Sequence, residues 1–219
     1  MTVKTLSKAL KYARISVFAA LYACTSLIPI SMFIGAPSFL ALNLIITPTI
    51  AILLSPKEAL LSAFLGGVIA LYISPSQAMF GPFTILLPTL GATLGSLAYH
   101  KPRAGFFISA YLLAVSASYL ISRTQFPYWI LPHIFAAISL ITLSITKSQP
   151  KRIKIPLYAF ISTMCEQGTM LLGAVYILSL PWTIFATAFP LMLYERIIAT
   201  LGSSLIALGF FNFKLIIAS

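Results

Sequence analysis

Apolar stretches separated by short breaks run through almost the whole chain, and no other feature limits its possible folds as much. Eight segments stand out: Tyr12–Ile34, Ser38–Leu54, Lys57–Ile73, Pro82–Tyr99, Ala104–Ile121, Pro127–Ile145, Ile155–Leu180 and Trp182–Phe211. The breaks between them combine turn formers with proline, as in Gly35-Ala36-Pro37, Ser55-Pro56, Ser74-Pro75-Ser76 and Gly81-Pro82. An apolar helix of about 20 residues matches the ~30 Å hydrocarbon core of a bilayer. Charged residues are 8% of the chain and hydrophobic ones 60%, whereas soluble domains carry roughly 25% charged residues. The expected solvent is therefore lipid. The expected fold class is all-α: a polytopic transmembrane helical bundle of six to eight spans, forming one integral-membrane domain over residues 1–219. The second and third segments, at about 17 residues, are short for a span. The basic N-terminus followed by an apolar run looks like a signal peptide, but no clear small-x-small cleavage site follows. The run is read as a retained first span.

Charge placement gives the expected orientation. With the N-terminus inside and eight alternating segments, one side receives Lys4, Lys8, Lys11, Arg14, Lys57, His100, Lys101, Arg103, Lys147, Lys151, Arg152, Lys154 and Lys214. The other side receives Arg123 alone. This asymmetry obeys the positive-inside rule and puts both termini in the cytoplasm of a cell-membrane protein. The net charge of +11 then points to anionic lipid rather than nucleic acid.

Only three residues are acidic, Glu58, Glu166 and Glu195, and aspartate is absent. Glu58 falls at a segment edge beside Lys57. Glu166 and Glu195 lie inside apolar runs, where an ionisable group marks a functional site by default. At 1.5 Å per residue, both lie roughly 16–20 Å from the nearest segment end, near mid-membrane on consecutive antiparallel segments. A Glu166–Arg196 ion pair is reasonable, leaving Glu195 for another partner. A purely structural alternative has Arg196 neutralise one glutamate while the other carries a proton. The functional alternative is a polar cavity for a small solute or a proton relay, with Gln167 beside Glu166 and with His133, Asn43 and Trp129 toward the outer side. Trp129, Tyr128 and Trp182 also fit an interfacial aromatic belt.

Other chemistry is limited. Cys24 and Cys165 are both inside apolar runs and read as packing residues. His133 has no second histidine or aspartate near it in sequence, so no metal or other cofactor is expected. Without aspartate, membrane prenyltransferases, intramembrane aspartyl proteases and phosphatidyl-alcohol transferases are excluded, and no catalytic set is expected. No Gly-rich loop ending in Gly-Lys-Ser/Thr is present, so any ATP drive must come from another chain. Small residues at four-residue spacing, Gly91/Gly95, Gly66/Ala70 and Ala59/Ala63, predict close helix packing.

The first seventy residues carry a resemblance. Ala19 and Ala23 form an Ala-x-x-x-Ala pair in the first segment, after a basic lead-in in which Ala9 and Ala13 repeat the spacing. Pro29, Gly35-Ala36-Pro37, Pro48, Ser55-Pro-Lys-Glu and Gly66-Gly67 follow. This layout resembles the S components of energy-coupling factor transporters, small membrane subunits that bind vitamins and related micronutrients. The resemblance implies a substrate-binding role, with a transmembrane T component and paired ATPases as partners. It also implies docking through Ala19 and Ala23, with Ala20 beside them, and a substrate site near the outer face. That family usually has six spans, against up to eight here. The alternative function is a self-sufficient proton- or cation-coupled carrier using Glu166 and Glu195; an enzyme using Glu166 and His133, or a purely structural role, is a third.

Overall fold

The structure is a computed structural model that describes residues 8–34, 38–146 and 150–218. The described residues form a helical bundle of eight α-helices with one two-stranded hairpin. Helix α1 spans Lys8–Thr25, strands β1 and β2 span Pro29–Phe33 and Ser38–Ala41, and α2 spans Asn43–Leu53. Then come α3 (Pro56–Ile73), α4 (Leu86–His100), α5 (Gly105–Ser122), α6 (Leu131–Ile145), α7 (Lys151–Leu172) and α8 (Trp182–Ala218).

The first segment differs from the sequence expectation. A helix through Ile34 is not formed: α1 stops at Thr25, and Pro29, which lacks an N–H and fixes φ, opens a strand. β1 pairs antiparallel with β2, setting Ser31 opposite Leu40 and Met32 opposite Phe39. The second segment gives β2 and then the 11-residue α2. The predicted break at 35–37, the leading Lys4 and the loop lysine Lys147 lie outside the described residues, as does the side chain of Lys214.

Five helices are long and apolar enough to cross a membrane: Pro56–Ile73, Gly81–His100, Pro102–Ser122, Pro127–Ile145 and Trp182–Asn212. The other three fall short for separate reasons. α1 carries Lys8, Lys11 and Arg14, α7 begins with Lys151, Arg152 and Lys154 and holds Glu166 and Gln167 in its interior, and α2 is only 11 residues long.

Large apolar side chains cover the outside of the bundle as well as filling its core. Leu61 and Phe64 on α3, Phe107 on α5, Phe135 on α6 and Leu205 on α8 face outward, while Ser62, Ser109, Ser116, Ser162, Thr163 and Ser203 are buried. An apolar outer surface over an interior that also holds small hydroxyl residues is the arrangement lipid favours. The chain is therefore a membrane protein.

Helix α7 is central, with every residue from Ile161 to Gly168 buried. It packs against α2, α4, α5, α6 and α8. Its closest approach is to α4, through the predicted glycine stripe. A Cβ at Gly95 would stand 2.5 Å from the Ser162 Cβ, and one at Gly91 would stand 2.7 Å from the Glu166 Cβ. Ser162 donates a hydrogen bond across this contact to the Gly91 carbonyl, at 3.0 Å. The second small-residue contact joins α1 to α3, where a Cβ at Gly66 would lie 3.0 Å from the Ala19 carbonyl oxygen.

The two ends of the bundle differ in charge. At one end Arg14 pairs with Glu58 at 3.9 Å and donates to the Leu53 carbonyl. His100 Nε2 donates to the Leu54 carbonyl at 3.0 Å, and the Lys154 ammonium lies over the Tyr99 ring. At the other end stand the hairpin, the α3–α4 connection, the α7–α8 turn and Arg123, whose Nε donates to the Leu180 carbonyl at 2.8 Å.

Candidate functional site

The hairpin end contains a narrow cavity between α7 and α8. α7 contributes Gln167, Met170, Leu171 and Ala174, and α8 contributes Phe185, Met192 and Glu195. Trp129, in the 3₁₀ turn before α6, closes one side. Met32 and Leu40 of the hairpin cover the top. The cavity measures about 40 Å³, room for a few water molecules. Its wall is apolar and aromatic except for Gln167, Glu195 and the indole N–H of Trp129. Trp129 meets Phe185 edge-on with ring centroids 5.2 Å apart, and Phe185 meets Tyr119 in the same way at 5.2 Å.

The hairpin is tied down at both ends. Ser31 on β1 donates a hydrogen bond to Glu195 Oε1 on α8. Asn43 Nδ2 donates to Gln77 Oε1 at 3.1 Å, and Gln77 Nε2 donates in turn to the Ser26 carbonyl at the end of α1. Glu195 thus has two roles in one side chain: it lines the cavity and latches the strand above it.

Beside the cavity lies a buried polar centre. Arg196 is 1% exposed, Glu195 3%, Glu166 5% and His133 0%. Arg196 Nη2 stands 3.9 Å from Glu195 Oε2, and Nη1 donates to the Thr163 carbonyl at 3.4 Å. Glu166 and His133 both lie within electrostatic reach of the guanidinium. The direct ion pair is therefore Arg196–Glu195, rather than the Glu166–Arg196 pair expected from depth along the helices. The reason is local: the neighbouring carboxylate on α8 reaches the guanidinium within ion-pair distance. Glu166 instead points toward α2 and α4, with Thr47 and Gly91 against it.

Several polar atoms here are buried without a well-formed hydrogen bond. They include Glu166 Oε2, Gln167 Oε1, Arg196 Nε and Nη2, Trp129 Nε1 and both His133 ring nitrogens, of which one reaches toward the Trp129 carbonyl. An unpaired buried polar group costs roughly 1–3 kcal/mol. These atoms concentrate around the Arg196 guanidinium and the cavity wall.

The seven residues expected to bind substrate thus separate into three places. Glu195, Gln167 and Trp129 reach the cavity wall. Glu166, Arg196 and His133 form the polar centre beside it, and Asn43 holds the base of the hairpin. Of the aromatic-belt residues, Trp129 is buried, whereas Tyr128 and Trp182 are exposed. Ala19 and Ala23 are 3% and 2% exposed on the α3 side of α1, leaving Ala20 as the outward member of the three. Ser31 and Phe185 have no signal in the sequence. Ser31 sits in a stretch that reads as helix, and Phe185 is one of 16 phenylalanines. Among the described residues no cluster of three potential metal ligands occurs.

No protein-family model, no curated protein and no solved structure matches this chain.

Proposed function

We propose that this protein is the solute-binding membrane subunit of a multi-chain, ATP-driven importer in the cell membrane, of the energy-coupling factor type. In this reading six to eight segments cross the bilayer, both termini are cytoplasmic, and the solute is a micronutrient-sized molecule taken from outside. The observation that carries it is the aromatic cavity beneath the hairpin, placed at the end opposite the basic cluster. Positive charge favours the cytoplasmic side, so that cavity faces the exterior. A cavity of about 40 Å³ is small beside ligand pockets of ~300 Å³ and more. Solute entry then requires the hairpin to lift, breaking the Ser31–Glu195 hydrogen bond. Native mass spectrometry of the detergent-purified protein tests the reading directly, through a co-purifying small molecule that is lost in Trp129→Ala.

Coupling to a T component is supported by the absence of a nucleotide motif and by the exposed face of α1, where Val17, Ala20, Leu21 and Cys24 point outward. Docking on this face predicts different results for adjacent alanines. Ala20→Trp should leave the monomer folded and abolish co-purification with a T component. Ala19→Trp should instead disrupt the α1–α3 contact and lower the yield of folded protein. Intact assembly in Ala20→Trp would count against docking through α1.

One observation favours a second reading, a self-sufficient proton-coupled carrier: Glu166 and His133 lie in a buried centre with unpaired polar atoms, as intramembrane proton relays do. Solute uptake by the purified chain in liposomes under a pH gradient, without ATPase partners, would establish it. Loss of that uptake in Glu166→Gln would place the relay.

A further inference from the structure

Charge counting within the buried centre points to the class of solute. Two carboxylates, Glu166 and Glu195, share one guanidinium, that of Arg196, and all three are at least 95% buried. With both acids ionised the centre has one excess negative charge. An uncompensated charge is strongly disfavoured away from water, so either a proton or a bound cation must balance it. Position decides where a cation could enter. Glu195 is on the cavity wall; Glu166 and Arg196 are not. A molecule in the cavity therefore meets the acid without its counter-ion interposed. Ser31 occupies Glu195 Oε1, while Oε2 has Arg196 only at 3.9 Å, beyond hydrogen-bond distance.

The rest of the wall narrows the cation. A hard metal ion needs about six oxygen ligands, and the cavity supplies one carboxylate and the unpaired Gln167 Oε1. Aromatic faces suit a diffuse organic cation instead, and Trp129 and Phe185 are both on the wall. Met170, Leu171 and Met192 offer an apolar surface to the remainder of the molecule.

Resting on the solute-binding reading above, we infer that the cavity takes a small organic cation, an amine or quaternary ammonium on an apolar body, with its charge at Glu195 and Gln167 and its body against Trp129 and Phe185. Trp182→Phe leaves Trp129 as the sole indole of a chain with two tryptophans, so its fluorescence reports the cavity. Three aromatic probes are titrated into this variant: phenyltrimethylammonium, its uncharged isostere tert-butylbenzene, and the anion benzoate. The cation is expected to bind at least tenfold tighter than the other two. Glu195→Gln should remove that preference and leave tert-butylbenzene binding within about twofold. Tighter binding of the neutral or anionic probe would overturn the cation inference while leaving a solute site in place. No response to any of the three would overturn both. The probe ranking in the Trp182→Phe parent decides the matter even if Glu195→Gln does not fold.

Discussion

Arg196→Met should be among the most damaging single substitutions in this protein. It removes the one guanidinium of the buried centre and leaves Glu166 and Glu195 facing each other's field without a counter-charge. Breaking a buried ion pair by deleting one partner costs about 3–5 kcal/mol. For a chain of this length, that corresponds to a fall of about 6–20 °C in the thermal midpoint. Size-exclusion profiles and thermal melts in detergent measure it. The decisive control removes the acids as well. Arg196→Met combined with Glu166→Gln and Glu195→Gln should regain most of the lost midpoint, because neutral groups of similar volume leave no unbalanced charge. A triple variant as unstable as Arg196→Met alone would show that Arg196 acts through packing, not charge.

Gly95→Ala should have the second-largest effect, although it adds a single methyl group. That methyl would stand 2.5 Å from the Ser162 Cβ and 2.9 Å from the Ala51 Cβ. α4, α7 and α2 would all have to shift. Overpacking of this kind costs about 1–3 kcal/mol, and it acts on the helix pair that carries the Ser162–Gly91 hydrogen bond. Gly209→Ala provides the contrast. Among the described residues nothing outside its own helix backbone lies within 4 Å of the added methyl, so the better helix propensity of alanine should leave stability unchanged or raise it by up to about 1 kcal/mol. Equal midpoints for the two variants would mean that α4 and α7 do not pack as closely as the glycines indicate.

Much of this arrangement is readable from residues alone, and the failures have definite causes. Proline and glycine breaks locate the helix ends well: Ser55-Pro56 begins α3, where the Ser55 N–H donates to Glu58 Oε2 at 3.2 Å, and the Gly91/Gly95 stripe is a tight helix contact. Hydropathy fails between Ser26 and Ala41. An apolar strand and an apolar helix draw on the same residue types, and the short Pro29–Phe33 strand has too few residues to display a period. The lid over the cavity is hidden for that reason, and Ser31 with it. Depth along a helix sets Glu166 and Glu195 far from the segment ends, and both are buried. It does not say that Glu195 faces a cavity while Glu166 turns toward Thr47, because rotation about a helix axis is set by neighbours that the linear spacing does not identify. The small-residue pair on α1 is legible as a packing feature, but its partner is α3 of the same chain.

The brevity of α2 bears on how the protein is made. Eleven residues at 1.5 Å per residue extend only about 16 Å, half the hydrocarbon thickness. Such a segment has no stable position of its own as a newly synthesised span. The hairpin before it exposes strand edges that lipid cannot satisfy. α2 packs against α1 and α3, but more extensively against α4, α7 and α8, which emerge from the ribosome later. Insertion of this chain is therefore not a simple sequence of independent spans. The contacts that hold α2 against α4, α7 and α8 form only once those helices have been made.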